Sequence, residues 1–302
     1  MSKQSWSDWR PLAGWQPTPA TLAETLDGGQ AFRWHGADDI WTGTWSGCVA
    51  QLRLQEGSLE WRSPVSLQTN VVAALPRYLG LDRDWSALSD SLPWRSDTHL
   101  AQCIAAFPGL RILRQPFGET LLGFLCSATK QIVQIKQMVA LLAAHHGSPL
   151  VSDLLLATCH LPLPSHSLPT WKQLAAIPEK DLRQCLLGFR AKYIHDTARF
   201  IAARPGWLEE TEALPYAAAK ARLLELPGVG EKVADCVLLF GAGKLEAFPV
   251  DTWVLKSLAR RYGLDGWKPA PVAHFGRTHF GPLAGLAQQY LFSWERKFGG
   301  GR

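Results

Sequence analysis

Polar and apolar positions follow two regimes that change near residue 95. Before that point, short stretches alternate with a period of two: Ile40 to Trp45, Cys48 to Leu54 and Ser58 to Arg62. Turn residues such as Glu56-Gly57 separate them, as expected for half-buried strands joined by hairpins. This predicts a small antiparallel sheet with one or two helices over residues 10–95. From 96 onward, apolar residues recur at helical spacing between Pro and Gly breaks. The helices expected there span 117–145, 171–187, 191–203, 214–225, 231–241, 252–262 and 281–294. The fold class is therefore α+β, with an N-terminal antiparallel sheet domain (10–95) followed by a mainly helical core (96–302). The Leu161 to Pro169 stretch, with three prolines, is expected to be a loop within the core.

Composition narrows this picture. The chain has 302 residues, 47% of them hydrophobic and 19% charged, which suits a globular protein and excludes a disordered one. A net charge of +5 without a Lys/Arg block fits a protein that touches a few phosphates locally. Most of the fourteen tryptophans precede residue 96. Their alternation favours the packed face of a sheet over exposed stacking platforms. The six cysteines are never closer than the 23 residues from Cys103 to Cys126, and no Cys/His pair has metal-ligand spacing. No metal and no cofactor are expected, and the thiols should be reduced and mostly buried. The N-terminal segment has no signal-peptide core, and no run approaches the ~20 apolar residues of a membrane span. A soluble, intracellular protein is expected.

The chemistry concentrates between Leu224 and Trp253. Leu226-Pro227-Gly228-Val229-Gly230 is a short turn between two helical runs, and its glycines let a phosphate approach the main chain closely. The run from Glu231 to Phe240 opens a helix whose first N–H groups lack partners and attract an anion. Lys232 lies in that first turn, with Cys236 and Phe240 at i+4 and i+8 on the same face. The positive end of a helix disfavours a second positive charge, and an uncharged amine is the form that attacks carbon. Nineteen residues on, Asp251 follows an extended apolar stretch. Alone it reads as the cap of the next helix; after the hairpin and its lysine it also reads as a catalytic carboxylate.

The segment LPGVGEKVADC (226–236) followed by FPVD (248–251) resembles the helix-hairpin-helix, Gly/Pro-rich loop and aspartate signature of base-excision DNA glycosylases. The lysine places the resemblance in the branch that includes the 8-oxoguanine DNA glycosylases. Gly29-Gln30-Ala31-Phe32-Arg33-Trp34 is similar to that family's GQxFRW segment, and Gly285 to Phe292 to its GxAQxxLF helix. Weaker matches are Leu187 to Tyr193, Leu113-Arg114-Gln115 and Leu125-Cys126-Ser127. The similarity runs from about residue 20 to 293.

The resemblance implies a two-subdomain helix-hairpin-helix glycosylase core and a bifunctional glycosylase/lyase acting on 8-oxoguanine in duplex DNA. A lesion base must be flipped out of the stack before any side chain can reach it. Lys232 would be the nucleophile and Asp251 the carboxylate opposing positive charge on the sugar. The carbonyl of Gly29 would accept the N7 hydrogen that distinguishes 8-oxoguanine from guanine. Gln288 would bind the Watson–Crick edge, with Phe292 and Cys236 sandwiching the base. DNA contacts would come from Gly228, Val229 and Gly230, from Phe189 as aromatic wedge and Arg190 on the opposite strand, and from Thr129, Lys130 and Trp253. The sequence departs from the well-studied eukaryotic members at the wedge. Thr129 and Lys130 stand in their asparagine run, and Gln134 replaces an arginine that reads the opposite cytosine. Trp253 replaces a histidine near the lesion's 5′ phosphate. A laxer opposite-base preference is expected. The partner expected is damaged double-stranded DNA, bound by a monomer that requires no protein partner. Two alternatives stay open: a same-fold glycosylase for alkylated or other damaged purines, and a non-catalytic helix-hairpin-helix DNA-binding protein.

Overall fold

The computed structural model describes residues 5–151 and 166–299. Five antiparallel strands form one sheet: β1 (Arg10–Pro11), β2 (Trp34–Ala37), β3 (Ile40–Trp45), β4 (Cys48–Gln55) and β5 (Ser58–Arg62), in the order β1-β5-β4-β3-β2. The register is set by three two-residue turns, Asp38-Asp39, Ser46-Gly47 and Glu56-Gly57, with positive φ at both positions of each. That geometry matches the right-handed twist of the flanking strands. Trp41 pairs with Leu52, and Leu52 with Trp61. Trp34, Trp45 and Trp61 are buried in the cluster that joins the sheet to Leu22, Leu26, Val71 and Leu75. The Trp34 indole donates to Tyr78 Oη at 3.0 Å.

The three alternating stretches form β3 to β5 as expected, whereas β1 and β2 were not anticipated. Three helices accompany the sheet rather than one or two: Pro19–Asp27, Gln68–Tyr78 and Trp85–Asp90. The first starts on a Thr18 cap followed by Pro19, a helix-opening pair that apolar periodicity does not register.

A second, larger cluster builds the helical part. At its centre runs Ala284–Phe298, buried along most of its length. It packs against Thr98–Ala106, Thr252–Tyr262 and Pro269–Phe280. On the other side, Glu231–Phe240 packs on Phe117–Leu125, with Phe240 stacked on Phe124 at 5.6 Å. Among the described residues, no helix is long and apolar enough to cross a membrane.

Two expected helices are broken. The run 117–145 divides into Phe117–Leu125 and Ile132–His146. Between them, Ser127 Oγ donates to Phe124 O at 2.7 Å, and Thr129 takes a left-handed φ of 55°. The second helix restarts on a capping box between Gln131 and Gln134. The break contains neither Gly nor Pro, so apolar periodicity runs straight across it. The run 171–187 stops at Ala176 because Pro178 cannot continue the helix, and two short turns, Glu179–Leu182 and Arg183–Cys185, follow. Of the expected loop, residues 161–165 lie outside the described residues, and 166–169 have no regular structure beyond an isolated bridge from His166 to Pro149.

Candidate active site

The hairpin between the Tyr216–Leu224 and Glu231–Phe240 helices is held from several directions. Thr197 Oγ1 donates to Pro227 O at 3.1 Å. Lys220 Nζ reaches Asp235 at 3.0 Å and Glu231 at 2.6 Å, and Tyr216 Oη donates to Asp235 at 2.7 Å. These bonds cross-link the two helices at their bases. Gly228 has φ 80°, and a Cβ there would meet the Tyr193 side chain at 2.7 Å, so only glycine fits. Gly230 caps the second helix with no side chain, and the space where its Cβ would stand is open. The leading amides of that helix thus face accessible space and suit a phosphate oxygen. Val229 is buried, and its N–H already donates to Leu226 O at 3.1 Å. The anion-facing part of the turn is therefore its glycines.

Lys232 projects from the first turn into a cleft of about 1030 Å³. Its Nζ donates to Ser127 Oγ at 3.2 Å and lies 5.2 Å from the Phe124 ring centre. Cys236 is buried one turn further along, and burial pushes its thiol up to about 12, opposed mainly by the charge of Lys232. Asp251 is the cap of the Thr252–Tyr262 helix. A single oxygen, Oδ1, accepts from Trp253 N at 3.0 Å and Val254 N at 2.9 Å, which leaves Oδ2 outside the cap. Burial raises the carboxyl above the usual aspartate range, while the Val254 amide and the Lys232 charge pull it back.

The same cleft is lined by Gly29, Gly228, Gly230, Phe292, Trp253, Thr129 and Lys130, segments spread over most of the chain. Gly29 has φ 99°, and a Cβ there would lie 3.1 Å from Ile132 and 3.6 Å from the tip of Phe292. Its loop is anchored by Lys136–Asp27 at 2.7 Å and Arg296–Glu24 at 2.6 Å. Gln288 is buried one helical turn from Phe292, behind the cleft surface, and its Oε1 has no hydrogen-bond partner. An orphaned buried acceptor is costly unless something supplies a donor.

Phe189 is exposed, as are Thr129 and Lys130. Arg190, also expected to touch DNA, has its side chain buried among protein partners (2% exposed), with the Phe189 ring 4.4 Å away. Its donors go to Ala128 O, to Leu187 O at 3.1 Å and to Thr129 Oγ1 at 3.1 Å. Arg190 thus holds the Cys126 to Gln131 turn in place. Gln134, exposed at the start of its helix, is committed to capping Gln131.

Among the cleft residues given no role from the sequence are Ser127, Lys256 and Arg296. Ser127 sits in a segment that matched the family but carried no role there. Lys256 and Arg296 lack any spacing signal, because their place at the cleft depends on how two distant helices pack.

Two family models match the chain: "8-oxoguanine DNA glycosylase, N-terminal domain" over residues 15–121, and "HhH-GPD superfamily base excision DNA repair protein" over 123–275. The N-glycosylase/DNA lyase OGG1 of Arabidopsis thaliana is 32% identical over 300 residues, covering 92% of this chain and 78% of that protein. The N-glycosylase/DNA lyase of Saccharomyces cerevisiae is 30% identical over 277 residues, covering 82% and 69%. Among solved structures, the Clostridium acetobutylicum 8-oxoguanine glycosylase/lyase, in complex with double-stranded DNA containing cytosine opposite 8-oxoguanine, superposes with a TM-score of 0.82. It is 31% identical and covers 91% of each chain.

Proposed function

The chain belongs to the 8-oxoguanine DNA glycosylase family within the HhH-GPD superfamily of base excision repair proteins, and from that premise we propose that it is a bifunctional glycosylase and AP lyase. It removes 8-oxoguanine, and related oxidised purines, from duplex DNA. One observation carries this reading: the Lys232 amine and the Asp251 carboxylate open into one cleft beside the uncapped helix start at Gly230.

A phosphate next to the flipped nucleotide binds the Gly228 to Gly230 backbone, which presents the sugar to Lys232. The uncharged amine attacks C1′, the C1′–N9 bond breaks, and the base leaves with its electron pair and takes up a proton. Positive charge on the sugar during this step is opposed by Asp251, whose Oδ2 is outside the cap. The C1′–O4′ bond then breaks, O4′ takes up a proton released by the nitrogen, and the amine and C1′ are left joined as a Schiff base. Loss of a C2′ proton expels the 3′ phosphate by β-elimination, and water hydrolyses the imine to regenerate Lys232. Gly29, Gln288, Phe292 and Cys236 form the base pocket in this reading. The Gln288 oxygen without a partner is suited to the donor-rich Watson–Crick edge of an oxidised guanine. The enzyme acts as a monomer on DNA inside the cell, with no cofactor.

Borohydride trapping on duplexes with 8-oxoguanine opposite each of the four bases tests the proposal. A covalent protein–DNA band that disappears in Lys232→Gln is expected. Base release without any trapped band would instead favour water activated by Asp251.

A further inference from the structure

The Ile132–His146 helix ends in two adjacent histidines, and the fold brings Cys185 against them from 40 residues further along the chain. Cys185 lies in the single turn Arg183–Cys185 that leads into the Phe189 wedge. One ligand-type atom of each of His145, His146 and Cys185 lies within 4.8 Å of the other two. Cys185 Sγ and His145 Nδ1 are 3.8 Å apart. In a tetrahedral zinc site with Zn–S of about 2.3 Å and Zn–N of about 2.0–2.1 Å, the S···N edge is about 3.6 Å. His146 Nε2 is shielded from solvent and has no hydrogen-bond partner, an uncompensated cost unless something occupies that lone pair or proton.

We propose that His145, His146 and Cys185 form a zinc-binding site, remote from the catalytic chemistry and with an open fourth position for water on the exposed His145 side. Two imidazoles and one thiolate are a donor set that suits Zn²⁺ and, as a spectroscopic probe, Co²⁺. On binding, the Cys185 S–H bond breaks, its proton passes to solvent, and the thiolate sulfur donates to the metal. Both imidazoles bind as neutral donors. The Asp181 carboxylate, whose field favours positive charge at His146, partly balances the site. The metal ties the end of one helix to the turn before Leu186, Gly188 and Phe189. Both ends of the wedge apparatus are then fixed, since the same helix begins at the Thr129 to Gln131 turn.

The full-length protein, stripped with a chelator, is titrated with Co²⁺ and then with Zn²⁺. One equivalent of Co²⁺ should give tetrahedral ligand-field absorption and a thiolate-to-cobalt charge-transfer band, both abolished by Zn²⁺. Cys185→Ser should remove the charge-transfer band, and His146→Asn should weaken Zn²⁺ in competition with a chromophoric chelator by about 100-fold or more. Because Cys185 is buried, His145→Asn at an exposed position repeats the test should the serine variant fail to fold. Cys103→Ala, at a buried cysteine 3.7 Å from His99, should leave the titration unchanged. The proposal is overturned by the absence of both bands at micromolar metal. Binding that survives Cys185→Ser and His146→Asn together also overturns it.

Discussion

Lys232 Nζ lies 3.2 Å from Ser127 Oγ, across 105 residues of sequence. The Ser127 hydroxyl spends its own proton on Phe124 O at 2.7 Å, so it meets the lysine as an acceptor. The serine thus exists in one orientation, and it holds the amine at the cleft rather than along the helix surface. Ser127→Ala removes the hydroxyl's bond to Phe124 O and the acceptor of the lysine, and the latter bond is worth about 0.5–1.5 kcal/mol. Single-turnover base release should slow by up to about tenfold, with affinity for lesion DNA unchanged. Lys232→Gln should abolish release and strand nicking while binding persists. Equal rates for wild type and Ser127→Ala would reduce the serine to a helix-ending residue.

In the proposed mechanism Asp251 serves two purposes, cap and carboxylate, that an amide can separate. Asparagine caps a helix about as well as aspartate does but carries no charge toward the sugar. Asp251→Asn should slow base excision on the order of 100-fold while the helix stays capped. The sign of its stability effect follows from linkage. Burial raises the folded-state carboxyl above its unfolded value, so ionised Asp251 costs folding free energy. That cost is fully present above the folded pKa and vanishes below the unfolded one. The asparagine variant should therefore equal or exceed wild-type stability at neutral pH and lose that advantage in acid. Denaturant midpoints at pH 7 and pH 4 provide the check. In wild type, the acid limb of kcat/KM should lie above the ordinary aspartate range, and this limb should be missing in Asp251→Asn.

Much of the site was legible because its parts are local. A glycine turn, the helix it opens and a lysine in the first turn follow from spacing alone. So does the aspartate cap nineteen residues on, since caps are local as well. The β3 to β5 hairpins were equally plain, because alternation and two-residue turns are short-range signals. The helix break at Cys126 to Gln131 was hidden: its turn is stabilised by Arg190, which supplies donors to Ala128 O and Thr129 Oγ1 across 62 and 61 residues of sequence. An arginine of that type on an expected DNA face reads as a DNA contact. Only the tertiary fold reveals that it also donates to groups freed by the broken helix. The His145, His146 and Cys185 cluster was hidden for the same reason, as its ligands have no common sequence spacing.

The wedge turn carries a backbone cost that can be relieved. Thr129 holds φ 55°, which disfavours a β-branched side chain, whereas asparagine tolerates this region. Thr129→Asn should stabilise the protein by about 1 kcal/mol, read as a higher denaturant midpoint. The family resemblance places an asparagine in this stretch as a reader of the opposite cytosine. Excision across the four opposite bases should accordingly be flat in wild type and tilt toward cytosine in the variant. A strong cytosine preference already present in wild type would mean that another residue reads the opposite strand.

Charge at the cleft sets how DNA binding responds to salt. Three lysines line it, Lys130, Lys232 and Lys256, together with Arg296, which is paired with Glu24 at 2.6 Å. The Gly230 helix start adds attraction through neutral amides and displaces no counterion of its own. With Lys232 turned to the sugar and Arg296 partly held by Glu24, about two to three phosphates are neutralised, and log K should fall against log salt with a slope of about −2 to −3. Lys256 lies 5.5 Å from the Trp253 ring, exposed at the mouth of the cleft and outside the proposed chemistry. Lys256→Ala should make the slope shallower by about 1 and weaken lesion and undamaged duplexes alike, leaving the rate of base release at saturation unchanged. Fluorescence anisotropy from 50 to 300 mM salt measures both slopes. A wild-type slope near −10, as large DNA interfaces give, would show that DNA runs across far more of the surface than this cleft, because only the net phosphate count sets the slope.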